Sequence, residues 1–157
     1  MSVSRSAALE LYKRQILKYG IIGGVIAGTL ITISSAIVTP YLPSEMVELA
    51  NSLEVTLANR FLYGGITEEL LMRFGVMTML VWLASKVFKS LSPTVYWIGI
   101  IFSSIIFGIG HFPIVFQTVS EPSALLLIYV LFGNSIGGII FGWLYWKKGL
   151  ESAMIAH

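Results

Sequence analysis

FLYGGITEELLMRFGVMTMLVWLA, residues 61–84, decides how this chain is read. It is apolar except for Glu68, Glu69 and Arg73, and it is long enough to cross a bilayer, which takes roughly 20 predominantly apolar residues. Trp82, Lys86 and Lys89 mark its far end. A charge in the middle of a membrane helix costs at least about 2.5–3.5 kcal/mol on insertion scales, so three within one span call for a partner or a function.

The rest of the chain supports the membrane reading. Of its 157 residues 56% are hydrophobic and 11% charged, against about 25% charged in soluble domains. There is no cysteine, hence no disulfide framework and no thiolate metal site. No charge interrupts the stretch from Tyr19 to Ser44, longer than the roughly 7–15-residue core of a signal peptide. It predicts a first span over 19–38 behind a cytoplasmic tail at 1–18, closed by Pro40 and Pro43. Gly20, Gly24 and Gly28, four apart, predict a face for close helix packing. Further spans are predicted at 94–116, carrying His111, and at 123–146, closed by Lys147 and Lys148. Between the first two spans, Met46, Leu49, Leu53 and Leu57 recur at helical spacing. Ser44 can cap them, and Glu45 and Glu48 suit a first turn, giving either an interfacial helix at 44–59 or a lead-in to the second span. The expected fold is an all-α polytopic bundle of four spans and the start of a fifth at 150–157, in one membrane domain.

Eight Lys/Arg fall at one set of helix ends and only Arg60 at the other, which predicts a multi-pass protein of the cell membrane with a cytoplasmic N-terminus. Trp82, Trp97, Trp143 and Trp146 lie near the basic side, as an interfacial aromatic belt does.

Glu69 and Arg73 are four apart in the favourable order and can neutralise each other as a structural ion pair. Glu68 lies about 100° round an α-helix and is left over, in a medium that disfavours an unpaired charge. That suits a group that exchanges a proton with a water. Its depth, roughly 12 Å from Arg60 at 1.5 Å per residue, resembles that of His111 on the neighbouring span. A Glu and a His facing each other could activate a water, or supply two ligands to a metal. A lone membrane histidine can equally do no more than bond a neighbouring helix.

These residues carry a resemblance. Glu68-Glu69 with Arg73 matches the Glu-Glu-x-x-x-Arg motif of the CAAX-protease and bacteriocin-processing (Abi) family of intramembrane proteases, in the manner of the type 2 CAAX prenyl proteases. Phe107 and His111 match its Phe-x-x-x-His motif. The segment from Gly137 through Gly142, Tyr145, Gly149 and Leu150 to Ala156 and His157 resembles the approach to its last motif, His-x-x-x-Asn/Asp, whose final position falls beyond 157. The resemblance covers about 61–157 and implies an intramembrane endopeptidase. In it Glu68 activates the attacking water, His111 and His157 hold that water or stabilise the oxyanion, and Glu69 and Arg73 support the site. Members are described both as metalloproteases and as glutamate-dependent enzymes, so Glu68, His111 and His157 could hold a divalent metal such as zinc. The implied partners are the bilayer and a peptide or protein substrate, lipidated or amphipathic; nucleic acid is not expected. Two other readings stay open: a non-catalytic bacteriocin-immunity or scaffold protein on the same fold, and a small proton-coupled transporter with Glu68 and His111 as relay.

Two expectations concern the last segment. His157 lies about 15 Å into a ~30 Å hydrocarbon core if a helix restarts after Lys148, which predicts a chain cut short of a full span. Depth counting also leaves His157 about 10 Å from the level of Glu68 and His111.

Overall fold

The computed structural model describes residues 5–52 and 60–157. Among them there is no strand, and four helices are long and apolar enough to span a membrane. Helix α1 (Arg5–Val38) runs 34 residues, so the basic segment expected as a tail is helical from Arg5 onward. Pro40 turns it through a short 3-10 segment (Thr39–Tyr41) into α2 (Pro43–Ser52). The remainder of the helix expected over 44–59 falls outside the described residues.

The second span, α3, has three parts: a π-helical stretch Arg60–Glu68, a second one Leu70–Met77, and an α-helix Thr78–Phe88. In the π stretches the backbone bonds reach five residues instead of four, a geometry that is rare and concentrates at functional sites. Two threonines follow the wider turn: Thr67 Oγ1 donates to the carbonyl of Leu62 (3.0 Å) and Thr78 Oγ1 to that of Arg73 (3.0 Å). Lys89, in a left-handed conformation, closes α3.

Pro93 opens α4 (Pro93–Ile109), which breaks at Gly110 and His111 before the short α5 (Phe112–Thr118). The fourth span, α6 (Ala124–Lys148), is capped by Ser123, whose Oγ accepts from the Leu126 N–H at 3.2 Å. Glu45 of α2 accepts from both the hydroxyl (3.0 Å) and the N–H (3.3 Å) of Ser123, tying α2 to the start of α6. Gly149 ends α6 at φ +94°, a conformation glycine takes without a Cβ penalty, and α7 (Leu150–Ala156) follows.

The helices bury polar groups and expose apolar ones, as a bilayer requires. Glu69 and Arg73 are fully buried, while Leu71 and Phe74, between and beside them in sequence, are exposed. Helix α7 slots between α1 and α6: Ala27, Phe141, Leu144, Ala153 and Ala156 form one core cluster. Two of the three spaced glycines of the first span make that fit, whereas a Cβ on Gly28 would meet nothing within 4 Å among the described residues. A Cβ on Gly20 would stand 2.7 Å from Ile155, and one on Gly24 would stand 2.7 Å from the Ala156 carbonyl.

Candidate active site

Arg73 and Glu69 face each other inside the bundle, Nε to Oε2 at 3.1 Å, with neither side chain exposed. The contact is a charge pair rather than an aligned hydrogen bond, because among the described residues neither Oε2 nor any of the three guanidinium nitrogens has a hydrogen-bond partner. Two aromatic faces take up the remainder of the cation. The guanidinium carbon lies 5.2 Å from the ring centre of Phe107 and 5.8 Å from that of Phe141, within cation–π range.

The other oxygen of Glu69 meets His157. Nδ1 lies 2.8 Å from Oε1, so Glu69 spans the gap between Arg73 and His157. The far side of the same imidazole faces Glu68, Nε2 to Oε2 at 3.5 Å, and both of those side chains are 19% exposed. Phe141 stacks on the ring at 4.9 Å and Phe107 meets it edge-on at 6.0 Å. Gly64, one turn earlier on α3, leaves the space: a Cβ there would stand 3.1 Å from Nε2. The 10 Å separation expected from depth counting is therefore absent. Alpha-helical spacing overstates the distance along α3, since wide π turns pack more residues into each unit of length. Moreover, α7 restarts from Gly149 rather than continuing the line of α6.

Glu68 and Glu69 consequently do different things to one histidine. If Nδ1–H donates to Glu69, Nε2 presents a lone pair toward Glu68 across 3.5 Å. Such a pair can take and return a proton.

His111 stands apart. Just past the end of α4, it turns its Nδ1 back to the Phe107 carbonyl at 2.8 Å. Among the described residues no hydrogen bond or ion pair joins it to Glu68 or His157; the Phe107 ring meets both imidazoles edge-on, 4.8 Å from His111 and 6.0 Å from His157. The imidazole in direct reach of Glu68 is that of His157. His111 sits in the turn between α4 and α5, where it and Gly110 both keep right-handed helical backbone. Among the described residues no group of three His, Asp or Glu side chains has the arrangement of a metal site. Glu68, His111 and His157 therefore do not fit a shared ion as placed.

Asn134 was not singled out by sequence reading. With His157, Phe107, Gly133 and Gly137 it lines a cavity of about 160 Å³. An amide in an otherwise charge-free span was the available signal.

The family model described as type II CAAX prenyl endopeptidase Rce1-like matches residues 51–157. No curated protein and no solved structure matches the chain.

Proposed function

The chain belongs to the type II CAAX prenyl endopeptidase Rce1-like family, and from that premise we propose that it is a membrane-embedded endopeptidase whose Glu68 activates the attacking water. The observation that carries this reading is the imidazole of His157 held between Glu69 at 2.8 Å and Glu68 at 3.5 Å.

In the proposed reaction a water sits beside Glu68 in the space shared with His157. As its oxygen bonds to the scissile carbonyl carbon, its proton passes to the Glu68 carboxylate. Charge gathers on the carbonyl oxygen, to which His157 donates when its Nε2 carries a proton. Collapse breaks the C–N bond, and the leaving nitrogen takes the proton. Glu69, held by Arg73, orients the ring of His157, much as a carboxylate orients histidine in other hydrolases. The chemistry is read as glutamate-dependent because the three candidate ligands do not gather. His111 acts from the rim, its Nε2 free to meet water or substrate while Nδ1 is engaged.

The substrate in this reading is a peptide with an apolar or lipidated segment that reaches the site along the bilayer. The family description makes prenylated C-terminal peptides the first to try. The basic helix ends are taken as cytoplasmic.

Glu68→Gln tests the proposal, since it keeps the side-chain shape and removes the base. Cleavage of a prenylated peptide reporter by reconstituted protein should fall about 10²–10⁴-fold, with the same unfolding midpoint as the parent. Undiminished cleavage by this variant sinks the reading.

A further inference from the structure

A second site stands at the opposite, basic end of the bundle. Between the start of α1 and the end of α6 lies a cavity of about 350 Å³, walled by Tyr12, Gln15, Trp146, Lys147, Lys148 and Gly149. We propose that it binds the phosphate of an anionic membrane lipid.

Charge is the first argument. Two adjacent lysines, Lys147 and Lys148, line the cavity, and among the described residues neither has a carboxylate within ion-pair distance. Each instead rests on an aromatic face, Lys147 Nζ 3.4 Å from the ring centre of Trp146 and Lys148 Nζ 3.8 Å from that of Tyr19. An ammonium over a ring keeps its N–H groups for a further acceptor. The last turn of a helix suits lysine on its own account, but that does not explain the cavity beside it, to which Tyr12 and Gln15 add a hydroxyl and an amide. The carboxylate of Glu151 lies near Gly149 at one edge, so the anion belongs on the lysine side.

Depth is the second argument, and it selects a lipid over a soluble anion. Trp146 stacks on Tyr96 at 4.8 Å and meets Trp97 edge-on at 6.5 Å, an aromatic cluster at the height where headgroups sit. Leu17, Ile21 and Trp143, close in sequence to the residues that wall the cavity, are exposed apolar surface. A headgroup in the cavity would leave its acyl chains running down that surface. Anionic lipids favour basic segments at this level.

The cavity also touches Gly149, from which α7 carries His157 to Glu68 and Glu69. A bound headgroup braces that hinge from outside. The inference does not depend on the peptidase reading, and its test needs no turnover.

The protein in neutral detergent is titrated with phosphatidylglycerol or phosphatidylcholine, and the thermal unfolding midpoint is read. Phosphatidylglycerol should raise the midpoint more than phosphatidylcholine does. That difference should vanish in K147Q/K148Q, persist in K147R/K148R, and persist in K86Q/K89Q, which removes equal charge from the same end away from the cavity. Should K147Q/K148Q not fold, Y12F/Q15L keeps both charges and should shrink the difference. An undiminished lipid preference in K147Q/K148Q, or in Y12F/Q15L where that pair stands in, overturns the site. Equal loss in K86Q/K89Q assigns the effect to diffuse surface charge and overturns it as well. Inorganic phosphate reproducing the full shift without lipid overturns the lipid assignment.

Discussion

Nδ1 of His157 lies 2.8 Å from Oε1 of Glu69, tying the short helix after Gly149, side chain to side chain, to the middle of the second span. Glu69 therefore answers to two partners. Arg73 neutralises it, and His157 uses the oxygen that remains.

Removing one member of the buried pair should cost far more than removing both. Glu69→Ala strands the Arg73 guanidinium in the core, and loss of one partner of a buried pair costs about 3–5 kcal/mol. The double variant Glu69→Leu with Arg73→Met replaces the charges with apolar volume and should recover most of that stability. Denaturant unfolding of the two singles and the double closes the cycle. Strictly additive losses would mean that the pair is not coupled. The double should still be inactive, since His157 loses the group that orients it.

Gly64 makes room for His157, so Gly64→Ala should leave the fold intact and disturb the imidazole. A displaced catalytic group costs about 10–10²-fold in turnover. The control is Gly75→Ala, where the nearest atom to a new Cβ is the Leu70 carbonyl at 3.6 Å, an ordinary contact. Cleavage rates and midpoints are compared side by side. Parent-like activity in Gly64→Ala would detach His157 from the chemistry.

His111→Ala should abolish most cleavage while the protein still inserts and folds, because the bond it removes, Nδ1 to the Phe107 carbonyl, is local to its own turn. A fall in midpoint with cleavage preserved in proportion to folded protein would make His111 a structural cap of α4.

Chelation separates the two chemistries proposed for such a site. Dialysis of the reconstituted protein against a strong zinc chelator should leave cleavage of the reporter unchanged. Loss on chelation, restored by added zinc, would require His111 to move onto Glu68 and His157 in the working state.

The spans could be read from composition and length alone, because lipid imposes so blunt a demand: roughly 20 apolar residues, with backbone bonds closed within the helix. The i to i+4 relation likewise marked Glu69 and Arg73 as able to pair. A restart of the chain after Lys148 could be read as well, and the resemblance brought His157 to the site. What could not be read was the set of contacts the restart creates: His157 meets both Glu68 and Glu69, while His111 bonds the carbonyl of its own preceding turn. The π character of α3 is not legible either, since threonines such as Thr67 and Thr78 return their hydroxyls to earlier carbonyls in ordinary α-helices as well.

Those wide turns have one more consequence. Each π turn accommodates an additional residue without lengthening the rod, so it acts as a phase shifter within α3. Upstream of it Glu68 is aimed at His157. Downstream, Val81 is aimed at the cluster it forms with Met77, Val95 and Ile100. The two ends of one span can thereby keep separate angular settings, and deleting a single residue from 70–77 would bring them into one register and spoil whichever end yields.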